Sequence, residues 1–323
     1  MAHEISVRAN GFAEMAYAGN DVPWHGLGQS LDENASIETW QKQAGMDWEI
    51  KESPVMYQAG DVEIPMTFDG KKLLYRGDSS TPLSIVSDSY KVVQPKEVLE
   101  FFRSLVEDQG FKLSTAGVLF NGQKFWALAD TGNSVKINGV DKIGGFLLLS
   151  TSCDGTLATS ARFTSVRVVC NNTLTIALNN NSSKVSTSHR SDFKATETKK
   201  ALGLYEDSWD RFQRTMVEMS QIKLSSKDAY AELLRTFCDD PTDPTNAELK
   251  VVNTVENLYN GAGMGADVAG KTVYGLLNAV TEYYDHNLGR NANNIVQSNF
   301  WGYSAKNKEE VFARLTEKYT ETV

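Results

Sequence analysis

The chain has 323 residues, 41% of them hydrophobic and 23% charged, with a formal net charge of −9. That composition gives a globular protein with a sizeable core, enough for two domains or one domain with a helical appendage, and excludes a disordered or fibrous chain. No run approaches the roughly 18 apolar residues of a membrane helix, and the N-terminus lacks the basic start and apolar stretch of a signal peptide, so a cytoplasmic protein with no membrane partner is expected.

The first 30 residues mix Gly, Asn, Ala and Pro without period and read as an N-terminal arm ending in Pro23-Trp-His-Gly-Leu-Gly28. Ser36 then caps a short helix through Ala44 with Gly45 as its stop. Alternation over Asp47–Tyr57 predicts a strand, with further strand-like pieces at Val62–Phe68, Lys72–Arg76 and Leu83–Val93. Pro95 at a first helical turn, an apolar period from Val98 to Val106 and a terminal Gly110 predict an amphipathic helix. An antiparallel meander follows: Phe111–Phe120, the turn Asn121-Gly122, Gln123–Ala129, a second turn at Asn138-Gly139, the apolar run Ile143–Leu149, and Thr156–Cys170 after Asp154-Gly155.

From Thr173 onward the period turns helical, broken by the loop 179–183. Helices are expected near Ala195–Ile222, Lys227–Phe237, Ala247–Tyr259, Thr272–Asp285 and Lys308–Tyr319. Strands first and helices last make an α+β fold: an arm over 1–30, a core with an antiparallel β-meander and packed helices over 31–182, and a helical region over 183–323.

Candidate chemistry is sparse. Cys153, Cys170 and Cys238 are far apart and the four histidines stand singly, so neither a disulfide framework nor a metal site is expected, and no other cofactor. His25 reads as a packed histidine of the arm and Cys170 as a small buried hydrophobe. No hydrolase signature is present, and the reading is of a protein that is not an enzyme. Gly265-Ala-Asp-Val-Ala-Gly270-Lys271-Thr272 matches the phosphate-loop pattern letter for letter, but the segment before it has helical spacing, whereas a working loop follows a buried strand. A nucleotide site at Gly265, Gly270, Lys271 and Thr272 is therefore the alternative, and a Gly-rich connection between helices the bland reading.

The charge distribution is more informative. Residues 1–70 carry 3 basic and 12 acidic side chains, whereas 160–200 carry 7 basic against 2 acidic. The island comprises Arg162, Arg167, Lys184, Arg190, Lys194, Lys199 and Lys200, with His189 beside it. Cations on a strand and a following loop, with aromatics nearby, suit a single-strand nucleic-acid groove; they also suit a surface neutralised by its own acidic arm. On a strand, Arg162 and Arg167 fall on opposite faces, so at least one is expected to be exposed.

Several strings carry a resemblance over nearly the whole chain: Pro23-Trp-His-Gly-Leu-Gly28, Arg76-Gly-Asp78, Tyr90-Lys-Val-Val-Gln94, Thr115-Ala-Gly117, Ser152-Cys-Asp-Gly155, Arg167-Val-Val-Cys-Asn-Asn-Thr-Leu174 and Asn278-Ala-Val-Thr-Glu-Tyr-Tyr-Asp-His286. The chain resembles the phage/plasmid-like protein family, labelled as a domain of unknown function. The resemblance implies a protein of bacteriophages, prophages and conjugative plasmids acting in mobile-element DNA metabolism. The helix–meander–helix order is similar to the core of single-strand annealing proteins of the RecT/Erf type. The expected function is thus single-stranded DNA binding and annealing in recombination or replication, by a homo-oligomeric ring or filament, with a structural or host-interaction protein as the rival.

Overall fold

A computed structural model of the chain describes residues 5–19, 26–60, 64–167, 172–175, 185–202, 205–288 and 295–321; the side chains of 167, 172–175, 201–202, 205–207 and 295–297 lie outside this set. The described residues form an α+β fold. The β-rich part comprises β1 Met15–Ala18, β2 Gln29–Leu31, α1 Ile37–Gln43, β3 Ile50–Tyr57, β4 Met66–Arg76, β5 Pro82–Ser87, α2 Pro95–Gln109, β6 Lys112–Leu119, β7 Lys124–Ile137, β8 Asp141–Ser152, β9 Thr159–Arg167, β10 Asn172–Thr175 and β11 Val185–Thr187. Helices follow: α3 Ala195–Leu202, α4 Tyr205–Gln221, α5 Ser226–Phe237, α6 Asn246–Asn257, α7 Ala266–Ala269, α8 Val273–Glu282, α9 Ile295–Trp301 and α10 Tyr303–Tyr319.

The main sheet runs β10-β9-β8-β7-β6-β1-β2, with β11 also pairing β9, while β3-β4-β5 form a second, three-stranded sheet. Strand alternation divides the main sheet into two faces. The inner face sends Phe125, Ala127, Leu147, Leu149, Ala161 and Phe163 into the principal core. There they meet the buried stripes of α2, α4 and α8 and the small sheet's Leu74, Leu83 and Val86. The outer face carries Trp126, Leu128 and Leu148, packed beneath Ile5, Ala13 and Met15 and against Phe300 and Trp301.

Helix α2 shows why local sequence succeeds here. Gln94 caps it, its N–H donating to Glu97 Oε2 at 2.6 Å; Pro95 opens the first turn, and Gly110 closes the helix at φ 73°. Its apolar period buries Val98, Leu99, Phe101, Phe102 and Leu105. At the Asn138-Gly139 turn both residues take positive φ (51° and 78°), as the residue types require.

Elsewhere partners override local pattern. The stretch expected to turn helical from Thr173 holds a strand, β10, because it pairs with β9 in the register Thr173↔Val166; β11 pairs with the other end of the same strand. The N-terminal arm supplies β1, hydrogen-bonded to β6, and β2, parallel to β1. Of the pieces expected at 62–68 and 72–76, the described residues from Met66 onward form one strand, β4, and the helix expected over 195–222 is described over Ala195–Leu202 (α3) and Tyr205–Gln221 (α4), with 203–204 outside the described residues.

Buried charges are paired. Glu14, fully buried, takes both terminal nitrogens of Arg76 (2.7 and 2.9 Å) and Nε of Arg8 (2.6 Å), joining the arm to the small sheet. Arg76 also binds Asp78 (2.9 and 3.0 Å) and stacks 4.0 Å over Trp48. In the helical part Lys308 Nζ meets Asp285 at 2.5 Å with both side chains buried.

Candidate functional site

The described members of the basic island do not converge into one groove. Arg162, only 6% exposed on the outer face of β9, reaches Glu309 of α10 at 3.6 Å, so of the two strand arginines this one is a buried ion-pair partner. Burial holds its pKa below the ordinary arginine value, against the pull of Glu309. Arg167 ends β9 and its side chain lies outside the described residues, as do all of Lys184, His25 and Cys170.

His189 is a structural clamp. Its ring stacks on Tyr90 at 4.4 Å, with Nδ1 2.9 Å from the Lys91 carbonyl and Nε2 3.0 Å from the Leu157 carbonyl, so it pins its loop to the β8–β9 connection and to the segment before α2. Lys199 is half-buried against α2, donating to Ser104 Oγ at 2.6 Å and lying 5.2 Å from the Phe101 ring centroid; burial lowers its pKa. Lys194 is exposed but pairs with Glu197 at 2.8 Å, a contact that raises its pKa. Arg190 and Lys200 alone among the described members of the island are exposed without an ion pair. Charges consecutive in sequence thus face an inter-helix seam, a loop clamp and the sheet's outer face separately.

The phosphate-loop string has a different job. Before Gly265 the chain makes a wide helical turn, Leu258–Ala262, continuing α6, where a nucleotide loop needs a strand. Lys271 Nζ donates to Asn260 Oδ1 at 2.8 Å and Ser226 Oγ at 3.2 Å, away from the loop backbone. Thr272 caps α8: its hydroxyl donates to the Ala269 carbonyl (2.9 Å) and accepts from Gly275 N–H (3.0 Å). Gly265, Gly270, Lys271 and Thr272 therefore build a connection between helices and no phosphate cradle, which corrects the nucleotide alternative. Among the described residues no cluster of His, Cys, Asp or Glu could hold a metal ion, and no helix is long and apolar enough to cross a membrane.

The outer sheet face offers a site that charge counting missed. The β7–β8 register sets Lys136 directly opposite Lys142, both exposed. Neither has an ion-pair partner among the described residues. Like charges opposed across an antiparallel pair destabilise it, so this pair stands ready to accept an anion. Along β8 the same face continues through Gly144 to Phe146, a half-buried aromatic. A Cβ on Gly144 would come within 2.9 Å of a Phe146 ring atom, so the absence of a side chain at Gly144 leaves room for the ring. Asp130, the register partner of Phe146, has its Oδ1 occupied by the Gly132 N–H at 2.8 Å. Two unneutralised cations and a ring thus lie along about 13 Å of strand. The signal for them was the Asn138-Gly139 turn, which brings Lys136 and Lys142 together.

Comparison with curated proteins and with solved structures returns no match. The model of a family described as a domain of unknown function (DUF932) matches residues 82–315, which span α2, the whole meander and the helices through most of α10, and the chain belongs to that family.

Proposed function

We propose that the protein binds single-stranded DNA on the open end of the outer sheet face and promotes annealing of complementary strands in the recombination or replication of mobile DNA. The observation that carries this reading is the unneutralised Lys136–Lys142 pair in line with the ring of Phe146. Single-strand binding needs cations to follow the backbone and aromatic rings to stack bases, and here two lysines and a half-buried ring share one face of the sheet. Arg190 and Lys200 add exposed positive charge elsewhere, whereas Arg162, His189, Lys194 and Lys199 are engaged within the protein itself.

The test is fluorescence anisotropy of a labelled single-stranded oligonucleotide, with annealing of its complement followed in parallel. Each phosphate neutralised on a single strand contributes about −0.7 to the slope of log affinity against log salt, so two lysines contribute about −1.4. Raising salt fourfold should then cost wild type roughly sevenfold more affinity than Lys136→Glu/Lys142→Glu. Phe146→Ala should weaken binding without altering that slope. Absence of binding by wild type at low salt, or equal slopes in wild type and the double variant, would overturn the proposal. Retained binding lost only in Arg190→Glu/Lys200→Glu would return the site to the basic island.

A further inference from the structure

Helices α5 and α10 meet at positive charge that is only partly balanced. Glu232 of α5 is 1% exposed and takes its partners from its own helix and from the last turns of α10. Three donors crowd its Oε1: Arg235 Nη1 at 2.7 Å, Lys318 Nζ at 2.5 Å and the Tyr319 hydroxyl at 3.2 Å. Its Oε2 accepts no hydrogen bond and lies 3.8 Å from Arg314 Nε. Among the described residues Glu232 is the sole ion-pair partner of Arg235, Arg314 and Lys318, so three cations share one carboxylate and two positive charges are left over. On a chain of net charge −9 general attraction for anions is weak, and a local surplus of this kind is what can hold one.

The three cations do different things. Arg314 serves the fold: its terminal nitrogens donate to the Arg235 carbonyl (3.4 Å) and to the Thr236 hydroxyl, capping the C-terminal end of α5. Arg235 and Lys318 are open, their side chains 52% and 45% exposed. Arg235 commits one terminal nitrogen to Glu232, and its Nε and Nη2 have no acceptor among the described residues. A guanidinium with a free edge beside an ammonium matches the charge and the oxygen geometry of a phosphate group. Because both are tied to one buried carboxylate, the two long side chains are ordered on folding rather than on binding. We propose that Arg235 and Lys318, positioned by Glu232, form an anion site for phosphate groups. The site belongs to α5 and α10, whereas Lys136 and Lys142 belong to β7 and β8, so this inference stands independently of the DNA-binding reading.

Calorimetric titration of the full chain with inorganic pyrophosphate, at constant ionic strength, tests it. Lys136→Glu/Lys142→Glu should bind pyrophosphate as wild type does, and Arg235→Gln/Lys318→Gln should bind it about tenfold or more weakly. That second variant keeps Arg314 and Tyr319 beside Glu232, so circular dichroism should be unchanged. If it does not fold, Arg235→Gln alone, which leaves Lys318 in place as well, should still weaken binding severalfold. Lys227→Gln/Lys306→Gln removes the same charge from exposed positions on the same two helices and should leave binding intact. No binding by wild type, unchanged binding in a folded site variant, or equal weakening in the control pair would overturn the proposal. Displacement of pyrophosphate by a single-stranded oligonucleotide, in the Lys136→Glu/Lys142→Glu background, identifies the phosphates as those of a nucleic-acid backbone; displacement by nucleoside triphosphate alone identifies a small phosphorylated ligand, and either result supports the site.

Discussion

Arg76→Met is the perturbation with the most calculable outcome. Arg76 makes two contacts of 2.7 and 2.9 Å with Glu14, whose side chain is fully buried, two more with Asp78, and a stack on Trp48. Methionine keeps the apolar stem over Trp48 but leaves Glu14 with only Arg8 among these partners, itself about a third exposed. Breaking a buried pair from one side costs about 3–5 kcal/mol, because the remaining charge keeps its desolvation penalty without compensation. Glu14→Gln leaves Arg76 its two contacts with Asp78 and should cost less, about 1–3 kcal/mol. Glu14→Gln/Arg76→Met removes both charges and should recover most of the loss, giving a coupling of at least about 2 kcal/mol in the cycle. Urea unfolding followed by tryptophan fluorescence is the assay, Trp48 lying against the guanidinium as a local reporter. A cost below about 1 kcal/mol for Arg76→Met, or additive single and double variants, would refute the view that this pair ties the arm to the small sheet.

Two further outcomes follow from the same contacts. His189→Ala removes the ring held between the Lys91 and Leu157 carbonyls and should cost about 1–3 kcal/mol in urea unfolding while leaving oligonucleotide affinity unchanged; lower affinity at unchanged stability would make His189 a ligand-binding residue after all. Asp154 and Asp78 should contribute to the acid limb of stability. Burial works to raise each carboxyl, but Thr156, Ser152 and Lys124 outweigh it at Asp154, and Arg76 and Arg8 at Asp78, so both are held below the ordinary aspartate value. A carboxyl with a folded pKa below its unfolded value of about 3.9 stabilises fully at neutral pH, and that contribution disappears as pH falls below about 4 and through the folded value. Asp154→Asn should therefore flatten the urea midpoint between about pH 5 and 3, and an unaltered acid limb would contradict the assignment.

What could be read along the chain depended on whether the deciding interaction was local. Helix α2 has its cap, its proline, its apolar period and its terminal glycine within seventeen residues, and it forms where they indicate. Strand β10 has no such autonomy: Asn172–Thr175 is a strand because β9 offers it an edge. Likewise Met15–Ala18, without period of its own, is a strand because Gly117 and Ala116 lie opposite. The candidate site divides in the same way. Arg162 was visible as a charge, but its burial beside Glu309 depends on where α10 crosses the sheet. The Arg76-Gly-Asp78 string was legible only as a resemblance; its physical content is a buried clamp on a residue 62 positions away.

The Lys136–Lys142 pair shows how one residue in a loop decides between neutralised and free charge. A two-residue Asn-Gly turn would close Ile137 on Val140 and set Lys136 against Asp141, an ordinary cross-strand ion pair on the surface. The observed register closes Ile137 on Asp141 and sets Lys136 against Lys142, with Val140 as an extra, 68% exposed residue. Because side chains alternate, the same one-residue shift turns Asp141 inward, where it is fully buried and accepts a hydrogen bond from the Tyr274 hydroxyl of α8 at 2.8 Å. The carboxylate that could have neutralised the lysines is thereby spent on fastening the meander to the helical region. A contact that helps to join the two parts of the fold is thus the one that leaves two cations unmatched on the outer face, so the charge available for an anion there is a consequence of how the core is closed.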